Sequence, residues 1–120
     1  MTGIARYRST KVQSAPKQQV VILLLEEAIK RVGLARVCIT EALPYSTLIG
    51  HLHHAREILL ELDGALDFDA APELCGQLRG LYRWCLDELI AVGGDKDIAH
   101  LDGVSRPLES LLIGWRSARP

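Results

Sequence analysis

Gln18-Gln19-Val20-Val21-Ile22-Leu23-Leu24-Leu25-Glu26-Glu27-Ala28-Ile29, continued through Val32, Ala35, Cys38, Ile39 and Ala42 to Leu43, is the stretch whose reading decides the fold. Its six consecutive apolar residues, Val20 to Leu25, span more than a full turn at about 100° per residue, so they face every side of a helix. From Ala28 onward the apolar residues thin to a one-sided stripe. The spacing predicts one long helix, greasy all round at its start and amphipathic afterwards. A helix apolar on every side needs cover on every side, either from a central place in a core or from another chain.

The rest of the chain reads as three more helices. Leu48, Leu52, Ala55, Leu59, Leu62 and Leu66 alternate steps of four and three, the spacing of a helix–helix seam, and predict a helix over about 47–66. Leu74/Cys75, Leu78, Leu81/Tyr82, Cys85, Leu89 and Val92 predict a helix over 72–92, begun by Pro72 and ended by Gly93-Gly94-Asp95. Ile98, Leu101, Val104, Leu108, Leu111/Leu112 and Trp115 predict a fourth over 96–117. Pro107 cannot donate to residue 103, so this last helix should kink near Pro107, or divide in two with Ser105 recapping the second piece. Ser46 or Thr47 is the expected cap of the second helix. Short connectors between four helices imply an all-α, antiparallel up-down four-helix bundle over residues 15–120, preceded by an N-terminal arm over 1–14.

Composition narrows the function. The 120 residues carry 48% hydrophobic and 24% charged residues with a net charge of −1, so nucleic-acid binding has no overall electrostatic support. The first 17 residues alone are basic, with Arg6, Arg8, Lys11 and Lys17 and no acid. Cys38, Cys75 and Cys85 are odd in number, without a CxxC, and each falls on an apolar stripe; buried thiols in a reducing, cytoplasmic compartment are the expectation. The first 19 residues lack a signal peptide's apolar core, and Val20–Leu25 is too short to span a bilayer.

No arrangement points to catalysis. His51 and His54 are three apart, with His53 and His100 as further candidates, but the seam beside them is leucine, so a metal ligand set is incomplete. Phosphotransfer on a helical bundle needs an exposed nucleophilic histidine; His54 is followed by Ala55-Arg56-Glu57, and Glu57 would repel a phosphoryl donor. Glu57 and Glu61 share a face without a matching ExxH, and there is no Gly-rich phosphate loop. The expectation is a non-enzymatic protein with no cofactor and no metal. What remains is apolar excess: Leu23–Leu25, Ile49, Ile58, Leu60, Ile90 and Ile113 exceed one stripe per helix. A generous core and a groove that receives another chain both accommodate it.

Several segments, in order, resemble FliS, the flagellin export chaperones of bacteria. His54-Ala55-Arg56-Glu57-Ile58-Leu59-Leu60-Glu61-Leu62-Asp63-Gly64-Ala65-Leu66 is similar to the family's K-A-x-x-I-I-x-E-L-x-x-x-L helix. Gly80-Leu81-Tyr82-Arg83-Trp84-Cys85-Leu86-Asp87-Glu88-Leu89 is similar to its L-Y-D-Y-M-x-R-R-L, with Asp87 and Glu88 where the family has a basic pair. Leu112-Ile113-Gly114-Trp115-Arg116-Ser117-Ala118 is similar to its last turns, and Tyr7…Val12-Gln13-Ser14-Ala15-Pro16…Ala28-Ile29 follows its N-terminal order. The resemblance implies a four-helix bundle that binds the disordered C-terminal segment of flagellin over apolar grooves in the cytoplasm and prevents its premature polymerisation. It also implies that the arm, around Tyr7 and Val12, caps part of the groove until the partner arrives. On this reading Ile22, Leu25 and Ile29 of the first helix, with Leu81 and Tyr82 of the third, are the partner-binding residues. Rivals are a bundle adaptor for another protein and a phosphotransfer module. Monomer and homodimer both stay open.

Overall fold

In a computed structural model, which describes residues 17–118, the decisive stretch forms α1 (Lys17–Thr40), followed by α2 (Tyr45–Gly64), α3 (Pro72–Asp95) and α4 (Ile98–Ser117). The described residues contain no strand. α1 packs on α2 and α4, and α3 packs on α2 and α4, while the backbones of the diagonal pairs stay apart. The helices therefore close a ring in the order α1, α2, α3, α4, an all-α four-helix bundle.

Pairs between side chains give each helix its direction. Gln18, at the start of α1, donates to the carbonyls of Trp115 and Ala118 at the end of α4 (2.7 and 2.8 Å). Arg36, near the other end of α1, pairs with Asp102 in the first turns of α4. The Tyr45 hydroxyl opening α2 donates to the Gly93 carbonyl closing α3 (2.8 Å), and Arg79 early in α3 pairs with Asp63 late in α2 (3.0 Å). Each neighbour thus runs antiparallel to the next, as the short connectors require.

The core runs the length of the ring. α1 gives it Val20, Val21, Leu24, Leu25, Ala28, Val32, Ala35 and Cys38. Opposite them, Leu59, Leu89, Leu101 and Leu108 are among the side chains no more than 1% exposed. Each fully buried aliphatic side chain contributes roughly 1.5–3 kcal/mol through the area it removes from water. The three cysteines are buried free thiols, and burial, with Glu88 nearby as a smaller cause, pushes the Cys85 thiol up to about 11.

The helix ends depart from the expectations in ways that local geometry explains. α1 stops at Thr40, where Ala42 turns left-handed (φ 51°) and Leu43 N–H donates to the Cys38 carbonyl (2.9 Å). This six-to-one closure normally uses glycine; alanine here accepts a strained φ. α2 starts at Tyr45 after Pro44, with no side-chain cap, so neither Ser46 nor Thr47 fills that role. α3 continues through Gly93 and Gly94 to Asp95 and closes on a left-handed Lys96 (φ 57°). Gly93 lies against Ile49 and Leu52 of α2, and Val92 beside it is fully buried, so packing carries the helix past residues that are weak helix formers. Asp97 caps α4 by accepting from Ala99 N–H (3.0 Å). α4 passes through Pro107 as one helix, so it does not divide at Ser105. Val104 and Leu108, both 0% exposed, pin it to the core on either side of the proline. The arm over residues 1–14 lies outside the described residues.

Candidate partner-binding surfaces

The five residues singled out from the sequence fall into two environments. Leu25 (0% exposed) and Tyr82 (2%) are core side chains, and burial, with Asp63 next in size, pushes the Tyr82 phenol up to about 12. Ile22, Ile29 and Leu81 are half-buried and pack on that core from its edge. Ile22 and Ile29 share a stripe of α1 with Glu26 and Arg36, whose partners Arg116 and Asp102 are on α4. Leu81 shares a stripe of α3 with Trp84, which lies against Gly103, and with Glu88, which contacts His100. The two stripes therefore flank α4 from opposite sides rather than meeting each other. Ile113, on the outer side of α4, is 65% exposed. Tyr7 and Val12 lie outside the described residues.

The histidines sit in two polar clusters. On the α1–α2 wall, Arg31 bonds Glu27 (3.0 Å) and His51 Nδ1 (3.3 Å), while His53 contacts Glu57 (2.7 Å). Because Arg31 can only donate, His51 Nδ1 is the acceptor there. Burial, then the Arg31 charge, lowers the His54 pKa below the usual imidazole value. At the α3–α4 corner, His100 reaches Asp95 through Nε2 (2.8 Å) and Glu88 through Nδ1 (3.1 Å). The Asp95 hydrogen bond raises the His100 pKa. Among the described residues no three His, Cys, Asp or Glu side chains are grouped to hold a metal ion.

A third feature emerges only in three dimensions. The α2–α3 wall, across the ring from α4 and α1, carries an open groove of about 400 Å³ lined by Arg56 and Leu60 of α2 and Arg83, Leu86, Asp87 and Ile90 of α3. Leu60 (56%) and Ile90 (57%) are among the most exposed aliphatic side chains described. Arg56 Nε is shut off from solvent yet has no hydrogen-bond acceptor. Leaving a buried donor of a charged group unpaired costs about 1–3 kcal/mol or more. Off-stripe Leu60 and Ile90 are legible in the sequence as excess apolar residues. Their meeting with two arginines is not, because it depends on which faces of α2 and α3 adjoin.

A ring of helices with an aliphatic core, half-buried apolar edges and exposed aliphatic residues beside charged ones is the architecture of a binding module. The model of a family described as "Flagellar protein FliS" matches residues 1–120, the whole chain. The chain belongs to that family, a chaperone family of the bacterial flagellum rather than an enzyme family. No curated protein matches it. Among the described residues no helix is long and apolar enough to cross a membrane.

Proposed function

We propose that this protein is a cytoplasmic export chaperone that holds the disordered C-terminal segment of flagellin on apolar surface and keeps it from polymerising before export. The observation that carries this reading is the family match over all 120 residues. In this reading the client crosses the outer side of α4, touching Ile22 and Ile29 on one flank, Ile113 in the middle and Leu81 on the other. Leu25 and Tyr82 support those contacts from the core beneath. The arm residues Tyr7 and Val12 compete for the same apolar surface. The work is binding coupled to folding of the client, with no bond made or broken.

Calorimetry with the C-terminal segment of flagellin from the same organism tests it. Binding should show a large negative heat-capacity change and rising peptide helicity. Ile29→Ser and Leu81→Ser should each weaken binding by about 1 kcal/mol or more if they are anchors. Deleting residues 1–14 should leave the affinity unchanged or tighten it, because a competing cap is gone. A folded protein that binds no segment, with or without the arm, would overturn flagellin as the client.

A further inference from the structure

We infer that His100 is a proton-operated clasp on the α3–α4 seam: charged, its ring bridges Asp95 and Glu88; neutral, it keeps Asp95 and releases Glu88. The clasp needs no client to work. Its contacts form a ladder between two antiparallel helices. His100 Nε2 is 2.8 Å from Asp95 Oδ2, and Nδ1 is 3.1 Å from Glu88 Oε2. Glu88 and Asp95 lie two turns apart on one face of α3, and the ring of His100 joins them. One turn before Glu88, Trp84 lies over Gly103 of α4. A Cβ added at Gly103 would stand 3.1 Å from the indole and 3.9 Å from Glu88 Oε1. Glu88 thus has one oxygen on the histidine and the other near the Trp84–Gly103 contact.

The charge on the imidazole decides how many of these links it can make. An imidazolium has two N–H donors and gives one to each carboxylate. A neutral ring has one donor and one lone pair, so one nitrogen then faces a carboxylate oxygen with no proton between them. The remaining proton stays on Nε2, where the bond is shorter. Asp95 is also fixed independently, because it accepts the Asp97 N–H (2.8 Å). Glu88, on the longer bond, is the carboxylate that turns away. The other charged groups at this corner are engaged elsewhere. Lys96 lies 5.3 Å from the centre of the Tyr45 ring of α2, Asp97 caps α4, and Asp102 pairs with Arg36 of α1. The Cys85 thiol near Glu88, pushed up to about 11 by burial, keeps its proton where histidine titrates. The hydrogen bond to Asp95, then its charge and that of Glu88, favours the imidazolium. The clasp is therefore closed below pH 6.5 and opens as pH rises through a folded value above 6.5.

Nuclear magnetic resonance of the full chain, titrated over about pH 5 to 9 to carry the imidazole through both charge states, tests the clasp. Both ring nitrogens of His100 should carry protons at the acid end, and the Nε2–H tautomer should dominate at the basic end. The Trp84 indole N–H resonance should shift with the same midpoint as His100. His100→Gln should abolish that shift, which separates it from titration of His51, His53 and His54 on the α1–α2 wall. Glu88→Gln should also abolish it while His100 still titrates, because an amide can accept from the charged ring and donate to the neutral one. An Nδ1–H tautomer at the basic end overturns the inference. So does a Trp84 shift that survives in Glu88→Gln, or a Trp84 resonance that does not follow His100. Should Glu88→Gln fail to fold, the wild-type tautomer and the His100→Gln titration decide the matter.

Discussion

The first half of α1 and the α2–α3 wall are both rich in large aliphatic side chains, and they use them in opposite ways. In the run from Val20 to Leu25, four of six side chains are buried, Ile22 is half-buried, and Leu23 is 37% exposed. On the wall, Leu60 and Ile90 stand more than half exposed beside Arg56 and Arg83. Density of apolar residues along the chain is thus a poor guide to apolar surface. α1 has neighbours on two sides, α2 and α4, which absorb most of a continuous run. Leu60 and Ile90 stand one step beyond the stripes their helices bury, so even isolated residues there reach solvent.

The contrast is broken most directly at Leu25. Its side chain is 0% exposed, so Leu25→Ala should destabilise the protein by about 2–5 kcal/mol in chemical denaturation. A loss under about 0.5 kcal/mol, the range of surface changes, would mean that the start of α1 is not core. Arg79 comes next. It bonds Asp63 and lies 4.5 Å from the centre of the Phe68 ring, tying α3 to the end of α2 below the groove. Arg79→Ala should cost about 1 kcal/mol, the upper range for a partly exposed pair, and high salt should reduce the difference. At the wall itself, Leu60→Ser and Ile90→Ser should each change stability by no more than about 0.5 kcal/mol, because both side chains are more than half exposed. A cost of about 2 kcal/mol or more in denaturation, the scale of a buried aliphatic side chain, would place either one in the core.

The finest comparison sets the α1–α2 wall against the α3–α4 corner by pH. His54 has a folded pKa below 6.5, so the folded state binds fewer protons than the unfolded one. Its wall should lose stability as pH falls through 6.5 toward the lowered value, and His54→Gln should remove that loss. His100 has a folded pKa above 6.5, so its contribution is complete below pH 6.5 and disappears as pH rises through the folded value. The stability difference between wild type and His100→Gln should therefore shrink with rising pH, while that between wild type and His54→Gln should shrink with falling pH. Denaturation curves across about pH 5 to 8, the range in which histidine changes charge, check both. Parallel behaviour of the two variants would contradict these environments.

Helix number, type and order are written in the sequence, because 3.6-residue periodicity and the breaks at Pro44 and Pro72 are local signals. Seams such as Leu52, Ala55, Leu59 and Leu62 identify most of the core by spacing alone, and the ordered resemblance of several segments points to the family that the whole-chain match establishes. Tertiary structure decided the rest. Packing of Val92 and Gly93 on the neighbouring helix carried α3 past its glycines, and burial of Val104 and Leu108 carried α4 through Pro107. Tertiary structure also decided that Leu25 and Tyr82 are interior while Ile22, Ile29 and Leu81 keep an outer edge. The groove that gathers Arg56, Arg83, Leu60 and Ile90 came from the same source. Periodicity says which side of a helix is apolar; only the neighbours that surround the helix determine how much of that side water still reaches.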